Sequence, residues 1–116
     1  MNIIFVNGSP RKNGATGNLI QSLRDRLSVM DSNINLETIE LSEVKPKYCD
    51  GCLSCYRNGK CHIQDDGMEE ISQRISECDG LVFASPTYGS SVTGLFKTFI
   101  DRGHFLVEQI LQNKPC

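Results

Sequence analysis

Apolar positions along this chain change period in a regular order. Ile3-Ile4-Phe5-Val6 is a continuous apolar run that stops at Asn7-Gly8-Ser9-Pro10, the pattern of a short strand covered on both faces of a parallel sheet. From Thr16 as N-cap, Leu19, Ile20, Leu23, Leu27 and Met30 recur at helical spacing on one face, with Arg24, Asp25 and Ser28 on the other. Residues 34–41 read as a second strand, with Ile34 and Leu36 on one face and Ile39 and Leu41 on the other. After a polar, cysteine-rich excursion, Asp66-Gly67-Met68-Glu69 has the D-x-x-E form of a capping box. Met68, Ile71, Ile75 and Cys78 repeat behind it until Asp79-Gly80 ends the helix. Leu81-Val82-Phe83-Ala84 predicts a third buried strand closed by Ser85-Pro86, and a third helix runs from about Thr93 with Leu95, Phe96, Phe99 and Ile100 inward.

Strands alternating with helices imply a parallel sheet with right-handed crossovers and helices on both faces. Ligands of such sheets bind outside the carboxyl ends of the strands, where the strand order reverses. Two segments fall at such ends, 8–18 and 86–91, and both are rich in Gly, Ser, Thr and Asn. The first offers hydroxyls at Ser9 and Thr16, cations at Arg11 and Lys12, and glycines at a helix amino terminus, which is anion-binding chemistry. It matches neither G-x-x-x-x-G-K-[ST] nor G-x-G-x-x-G, so a nucleotide-triphosphatase loop and a dinucleotide fingerprint are unsupported. Its bland alternative is a solvated loop before a capped helix. The second segment, Pro86-Thr87-Tyr88-Gly89-Ser90-Ser91, offers amides, hydroxyls and one ring to the edge of a planar heterocycle, or is simply a turn.

Composition narrows the class. The 116 residues carry 12 Lys+Arg against 14 Asp+Glu, a net charge of -2, which gives no electrostatic reason to expect nucleic acid or an anionic membrane. No apolar run approaches the ~20 residues of a membrane span, and no signal-peptide pattern opens the sequence, so a cytoplasmic protein is expected. The length suits one domain.

Four of the six cysteines, Cys49, Cys52, Cys55 and Cys61, have the spacing C-x2-C-x2-C-x5-C. Three kinds of reading compete: a thiolate-ligated cluster or metal, a disulfide framework, and a packed or redox-sensitive thiol loop. A reducing cytosol disfavours disulfides. Zinc usually takes two C-x2-C pairs separated by a longer loop, which is absent.

Taken together these pieces resemble the NAD(P)H-dependent FMN reductase and iron-sulfur flavoprotein family. The matching pieces are the first strand followed by Gly8-Ser9-Pro10-Arg11 with Asn13-Gly14 and Thr16, the cysteine segment with Gly59-x-Cys61 and Asp65-Asp66, and Ser85-Pro86-Thr87-Tyr88 followed by Lys97-x-Phe99-Ile100-Asp101-Arg102. The resemblance implies a flavodoxin-like α/β/α sandwich with strand order 2-1-3-4-5. It also implies an FMN phosphate site at Ser9, Arg11, Asn13, Thr16, Gly17 and Asn18, and an isoalloxazine site at Pro86, Thr87, Tyr88, Gly89 and Ser90. The activity it implies is electron transfer from NAD(P)H through FMN to a small acceptor such as a quinone or flavin, in a homodimer or higher oligomer. The alternative is a non-enzymatic flavin and iron-sulfur carrier serving protein partners. A third reading is a fragment with an incomplete site and a structural role.

The compact cysteine spacing matches the [4Fe-4S] pattern of the iron-sulfur flavoproteins, with Cys49, Cys52, Cys55 and Cys61 as ligands; the thiol-loop reading stays open beside it. Since the flavin carries hydride chemistry, no catalytic side chain is demanded. Cys78 reads as a buried small hydrophobe, and His62 and His104 as surface or packing histidines. Lys45, Lys47, Arg57 and Lys60 usually mean solvation, or favour an anionic donor. Two departures from the family stand out. Gly89-Ser90-Ser91 follow the tyrosine where many members have an aromatic residue before Gly-Ser, and only three of five expected strands are found. Residues 1–116 are therefore expected to be a single flavodoxin-like domain lacking its C-terminal strands, which another chain or further sequence would supply.

Overall fold

The computed structural model describes residues 1–103. His104 and the stretch Lys114-Pro115-Cys116 lie outside the described residues. The elements are β1 (Asn2–Asn7), α1 (Ala15–Met30), β2 (Asn35–Glu40), α2 (Leu41–Val44), α3 (Ser54–Asn58), α4 (Met68–Glu77), β3 (Gly80–Ala84) and α5 (Gly94–Arg102). All three strands run parallel in the order β2-β1-β3, the first part of the expected 2-1-3-4-5.

Register puts Val6 opposite both Ile39 and Phe83, and Ile4 opposite Leu81, so the alternate residues Ile4, Val6, Ile39, Leu81 and Phe83 share one sheet face. Onto that face α4 and α5 deliver Met68, Ile71, Ile75, Phe96 and Phe99, and Cys78 joins them, buried as expected. Each such side chain withdrawn from water contributes about 1.5–3 kcal/mol, which makes this the stronger of the two layers. Phe83, Phe96 and Phe99 meet as a ring cluster with centroids 5.6 to 6.2 Å apart. Phe5 points to the opposite face and is buried, and α1 lies over that face.

That second layer corrects the periodicity argument. Of the five apolar residues assigned to the inner face of α1, only Ile20 is buried; Leu19 is 58% exposed, Leu23 40% and Met30 81%. Arg24, assigned to the outer face, turns inward instead and donates to Thr38 Oγ1 at 2.6 Å and to the Leu36 carbonyl at 3.0 Å. The described sheet is narrower than the apolar stripe of the helix, so part of the stripe has nothing to pack on. Ile100 on α5 is likewise 40% exposed. Leu81 to Ala84, read as an interior strand, forms an edge of the described sheet, and Phe83 is 54% exposed there.

Two predicted caps are also replaced. Thr16 lies inside the first turn of α1, whose N-cap is Gly14 with no side-chain hydrogen bond. Helix α4 starts after Gly67 rather than in an Asp66–Glu69 box. The Asp66 carboxylate accepts from Lys47 N and Arg102 instead, and only its 3.4 Å contact with Met68 N resembles a cap. At α5 the expected start holds, because Thr93 Oγ1 accepts from Phe96 N at 3.0 Å.

Candidate functional site

The two polar segments leave β1 and β3 side by side and are tied together. Gly8 N donates to the Ala84 carbonyl at 2.7 Å, Thr93 Oγ1 donates to the Gly8 carbonyl at 2.6 Å, and Thr93 N donates to Ser85 Oγ at 3.1 Å. Thr93 is fully buried, so its one hydroxyl caps α5 and joins the loop after β1 to that helix. The packing beneath is tight, since a Cβ on Gly8 would lie 2.7 Å from the Phe96 ring.

Within the first loop, Asn7 is the organising side chain. Fully buried, it accepts from Ser9 N at 3.0 Å and donates to Glu40 Oε2 at 2.9 Å. Burial pushes the Glu40 carboxyl up, and the Asn7 hydrogen bond and the Lys12 charge oppose that. Ser9 is buried as well; its hydroxyl accepts from Arg11 N at 3.1 Å and donates to the Arg11 carbonyl at 3.0 Å, closing the turn. The loop then folds so closely onto α1 that a Cβ on Gly17 would sit 2.0 Å from the Lys12 carbonyl oxygen. Only glycine permits that approach.

What this leaves open is the amino terminus of a 16-residue helix without a side-chain cap, beside Arg11, whose guanidinium has no hydrogen bond or ion pair among the described residues. Unpaired N–H groups and the helix dipole there favour an anion. Lys12 is committed differently, donating to Glu43 at 2.7 Å, and that carboxylate holds the ammonium pKa up. Thr16 and Gly17 are half-buried, while Arg11, Asn13 and Asn18 are exposed. In the second loop Pro86 is half-buried and Thr87, Tyr88, Gly89 and Ser90 are exposed. Tyr88 and Ser91 exchange backbone hydrogen bonds of 2.9 and 3.1 Å across Gly89 and Ser90, both at positive φ, the form of a tight hairpin turn.

The cysteine segment is built on different lines. Lys45, Gly51, Leu53, Gly59 and Gly67 all have positive φ, and the chain winds outward around the short helix α3. Its two ends are held by Arg102, which is 2% exposed. The guanidinium pairs with both Asp66 oxygens, donates to the Lys47 carbonyl at 2.9 Å and to the Ile63 carbonyl at 3.1 Å. Burial alone would push the Asp66 carboxyl up, but the Arg102 hydrogen bonds and charge, with the Lys47 N–H, hold it below the usual carboxylate range.

Cys49, Cys52, Cys55 and Cys61 are free thiols, exposed or half-buried, so the disulfide alternative is not realised. Among the described residues, the group of three potential ligands with donor atoms within 4.8 Å of one another is Asp50, Cys52 and His62, not a set of cysteines. A single zinc ion held by four thiolates would need sulfurs about 4 Å apart, so the structure does not gather that site. A four-iron cluster spreads its ligands more widely, and the donor set of four free thiols on one segment suits it. His62 is neither isolated nor in the core: its Nε2 lies 2.7 Å from Asp50 Oδ2, and this contact lowers the Asp50 pKa.

Sequence reading placed the loops but missed Asn7, Glu40 and Ser85 as their supports. It took Asp66 for a helix cap and quoted Arg102 only as a piece of a motif. A polar residue ending an apolar strand, as Asn7 does, was the available signal; for the Asp66–Arg102 pair none exists locally, because 36 positions separate the two.

A parallel β2-β1-β3 sheet with two polar loops side by side at its carboxyl edge has the arrangement of a flavodoxin-like fold, and comparison with known proteins agrees. The family described as NADPH-dependent FMN reductase matches residues 1–116, and the chain belongs to it. It is 50% identical over 116 residues to an iron-sulfur flavoprotein of Clostridioides difficile (strain 630), covering 100% of this chain and 52% of that protein. An iron-sulfur flavoprotein of Archaeoglobus fulgidus is 36% identical over 102 residues, 88% of this chain and 45% of that protein. The chain thus spans about half the length of the curated relatives it matches. Among solved structures, the NAD(P)H:quinone oxidoreductase from Methanothermobacter marburgensis superposes with a TM-score of 0.68 at 18% identity, over 88% of this chain and 52% of that one. The azoreductase AzrA gives 0.67 at 15% identity, over 88% and 55%. At those identities the structures speak for the fold alone.

Proposed function

We propose that this chain carries the FMN-binding part of an oxidoreductase that moves electrons from NAD(P)H through FMN to a small acceptor. The observation that supports it most is the uncapped α1 terminus with unpaired Arg11, tied through Gly8, Thr93 and Ser85 to the Tyr88 hairpin. In this reading Arg11, Asn13, Thr16, Gly17 and Asn18 surround the FMN phosphate, Ser9 shapes the turn that presents them, and Pro86, Thr87, Tyr88, Gly89 and Ser90 line the isoalloxazine ring. FMN, when bound, supplies the hydride and single-electron chemistry. The chain's residues bind the phosphate, fix the ring's edge and set its access to solvent.

Cys49, Cys52, Cys55 and Cys61 are the ligands in the reading that includes a [4Fe-4S] cluster, which the names of the relatives favour. A second reading, for a chain that would hold both a flavin and a cluster, is an electron carrier reduced by a protein partner. Mixing the flavin-loaded protein with NADH or NADPH under argon separates the two: rapid loss of the flavin absorption bands supports the reductase, whereas bleaching by a protein reductant alone supports the carrier. The described helices include none long and apolar enough to cross a membrane. A cytoplasmic, oligomeric protein is part of the proposal; size-exclusion with light scattering tests the second point.

We also infer that residues 1–116 are one domain whose sheet continues past β3. Support comes from the β3 edge, which is unpaired among the described residues and carries the exposed Phe83, from Leu19 and Leu23 exposed on α1, and from the greater length of the relatives. Near-ultraviolet circular dichroism and sedimentation of the 116 residues alone test it, and a well-packed monomer would refute it.

A further inference from the structure

Arg102 does more than a buried ion pair requires. It sits at the end of α5 opposite Thr93, so one nine-residue helix grips the loop after β1 at its start and the cysteine segment at its finish. Its terminal nitrogens are used on Asp66, Lys47 and Ile63, while Nε is buried with no hydrogen-bond partner among the described residues. Arg102 and Cys61 line one cavity of about 170 Å³ together with Ile63, Gln64 and Met68. Across that cavity Cys61 and the guanidinium are electrostatic neighbours. Of the four segment thiols, Cys61 is thus the one that shares a cavity with a buried cation, whose orientation is locked by the Asp66 carboxylate and the Lys47 and Ile63 carbonyls.

We propose that Arg102 is the positioning residue of the metal centre: by closing the segment from Lys47 to Asp66 and presenting its guanidinium to Cys61, it fixes the fourth thiolate and raises the centre's reduction potential. The inference rests on the reading of Cys49, Cys52, Cys55 and Cys61 as cluster ligands. The physical reasons are two. A ligand held in place before the metal arrives loses less entropy on binding, and positive charge or an N–H donor beside a ligating sulfur stabilises the more electron-rich, reduced centre. Lysine cannot substitute for the role, because its single nitrogen cannot span Asp66, Lys47 and Ile63 at once.

The test uses the full-length protein reconstituted anaerobically with ferrous iron and sulfide, as wild type, Arg102→Lys and Arg102→Gln. Circular dichroism checks the fold, and Arg102→Lys carries the test if Arg102→Gln does not fold. Three quantities are read: iron affinity by chelator competition, the reduction potential of the centre, and hydrogen exchange across 47–66 before iron is added. The expected result is iron affinity about 10–100-fold weaker, a more negative potential in Arg102→Gln than in Arg102→Lys, and faster exchange confined to 47–66, with FMN affinity unchanged. Folded variants with wild-type iron affinity and potential overturn the proposal while leaving the cluster reading intact. A wild-type protein that takes up no iron overturns the cluster reading, and the proposal with it.

Discussion

The loop after β1 and the cysteine segment both depend on glycine, for opposite reasons. Gly17 lies against the Lys12 carbonyl, where a Cβ would come within 2.0 Å, so the constraint is space. Gly59 has open solvent around it, with nothing within 4 Å of a Cβ, yet its φ of +68° puts it in the left-handed region, so the constraint is backbone conformation. One loop is packed from within and is held to the sheet through Asn7 and to α5 through Thr93. The other is an outward arch clamped at its ends by a single arginine. The first is built to present a rigid surface, and the second to depend on its anchor.

The largest effect expected from breaking this contrast is at the clamp. Arg102→Met leaves the Asp66 carboxylate buried without its partner, and should cost about 3–5 kcal/mol in urea unfolding of the full-length protein. The pair also gives a pH signature. Because the folded-state Asp66 pKa lies below its ordinary 3.8, its contribution to stability is present above that value and is lost as pH falls through the lowered one. Wild type should therefore lose stability in that acid window more steeply than Asp66→Asn, as read by unfolding midpoints at successive pH values.

Next comes Gly17→Ala, where a backbone oxygen rather than a flexible side chain blocks the added methyl group. A loss of about 3 kcal/mol, the upper part of the overpacking range, is expected, together with loss of FMN binding by fluorescence titration. Arg11→Ala should leave the fold untouched and weaken FMN by about 1.5–3 kcal/mol while sparing riboflavin, since a charge-assisted phosphate contact is removed. Equal losses for both ligands would move the phosphate elsewhere. Smallest is Gly59→Ala, about 1–2 kcal/mol of local backbone strain, appearing as faster exchange around α3 with the flavin loops unaffected.

The legible parts of the fold were those written in a local period. Ile3 to Val6 and Leu81 to Ala84 announced strands, and Met68, Ile71 and Ile75 announced the buried face of α4; all three hold, with ends shifted by a residue or two. Local signals failed where a distant partner outcompeted them. The D-x-x-E pattern at Asp66 was well formed for a capping box, but a guanidinium from α5 offered a stronger, charge-assisted bond. Leu19 and Leu23 have helical spacing and no surface to meet, because periodicity shows which face is apolar and not how wide the opposing sheet is. For the site, residue types and loop positions could be read, whereas the supports could not, since Asn7 to Glu40 and Thr93 to Gly8 are contacts 33 and 85 positions apart.

The Asn7 amide has a consequence for the order in which the chain acquires its ligand. It joins the end of β1, the turn at Ser9 and the carboxylate at the end of β2, so the loop after β1 cannot take its final shape until those two strands are in register. Their pairing must close a long loop through α1, which makes it a late and slow event compared with forming that helix. If that loop holds the flavin as proposed, its capture follows sheet assembly, and the rate at which flavin fluorescence is quenched during refolding would be a clock for the β1–β2 junction.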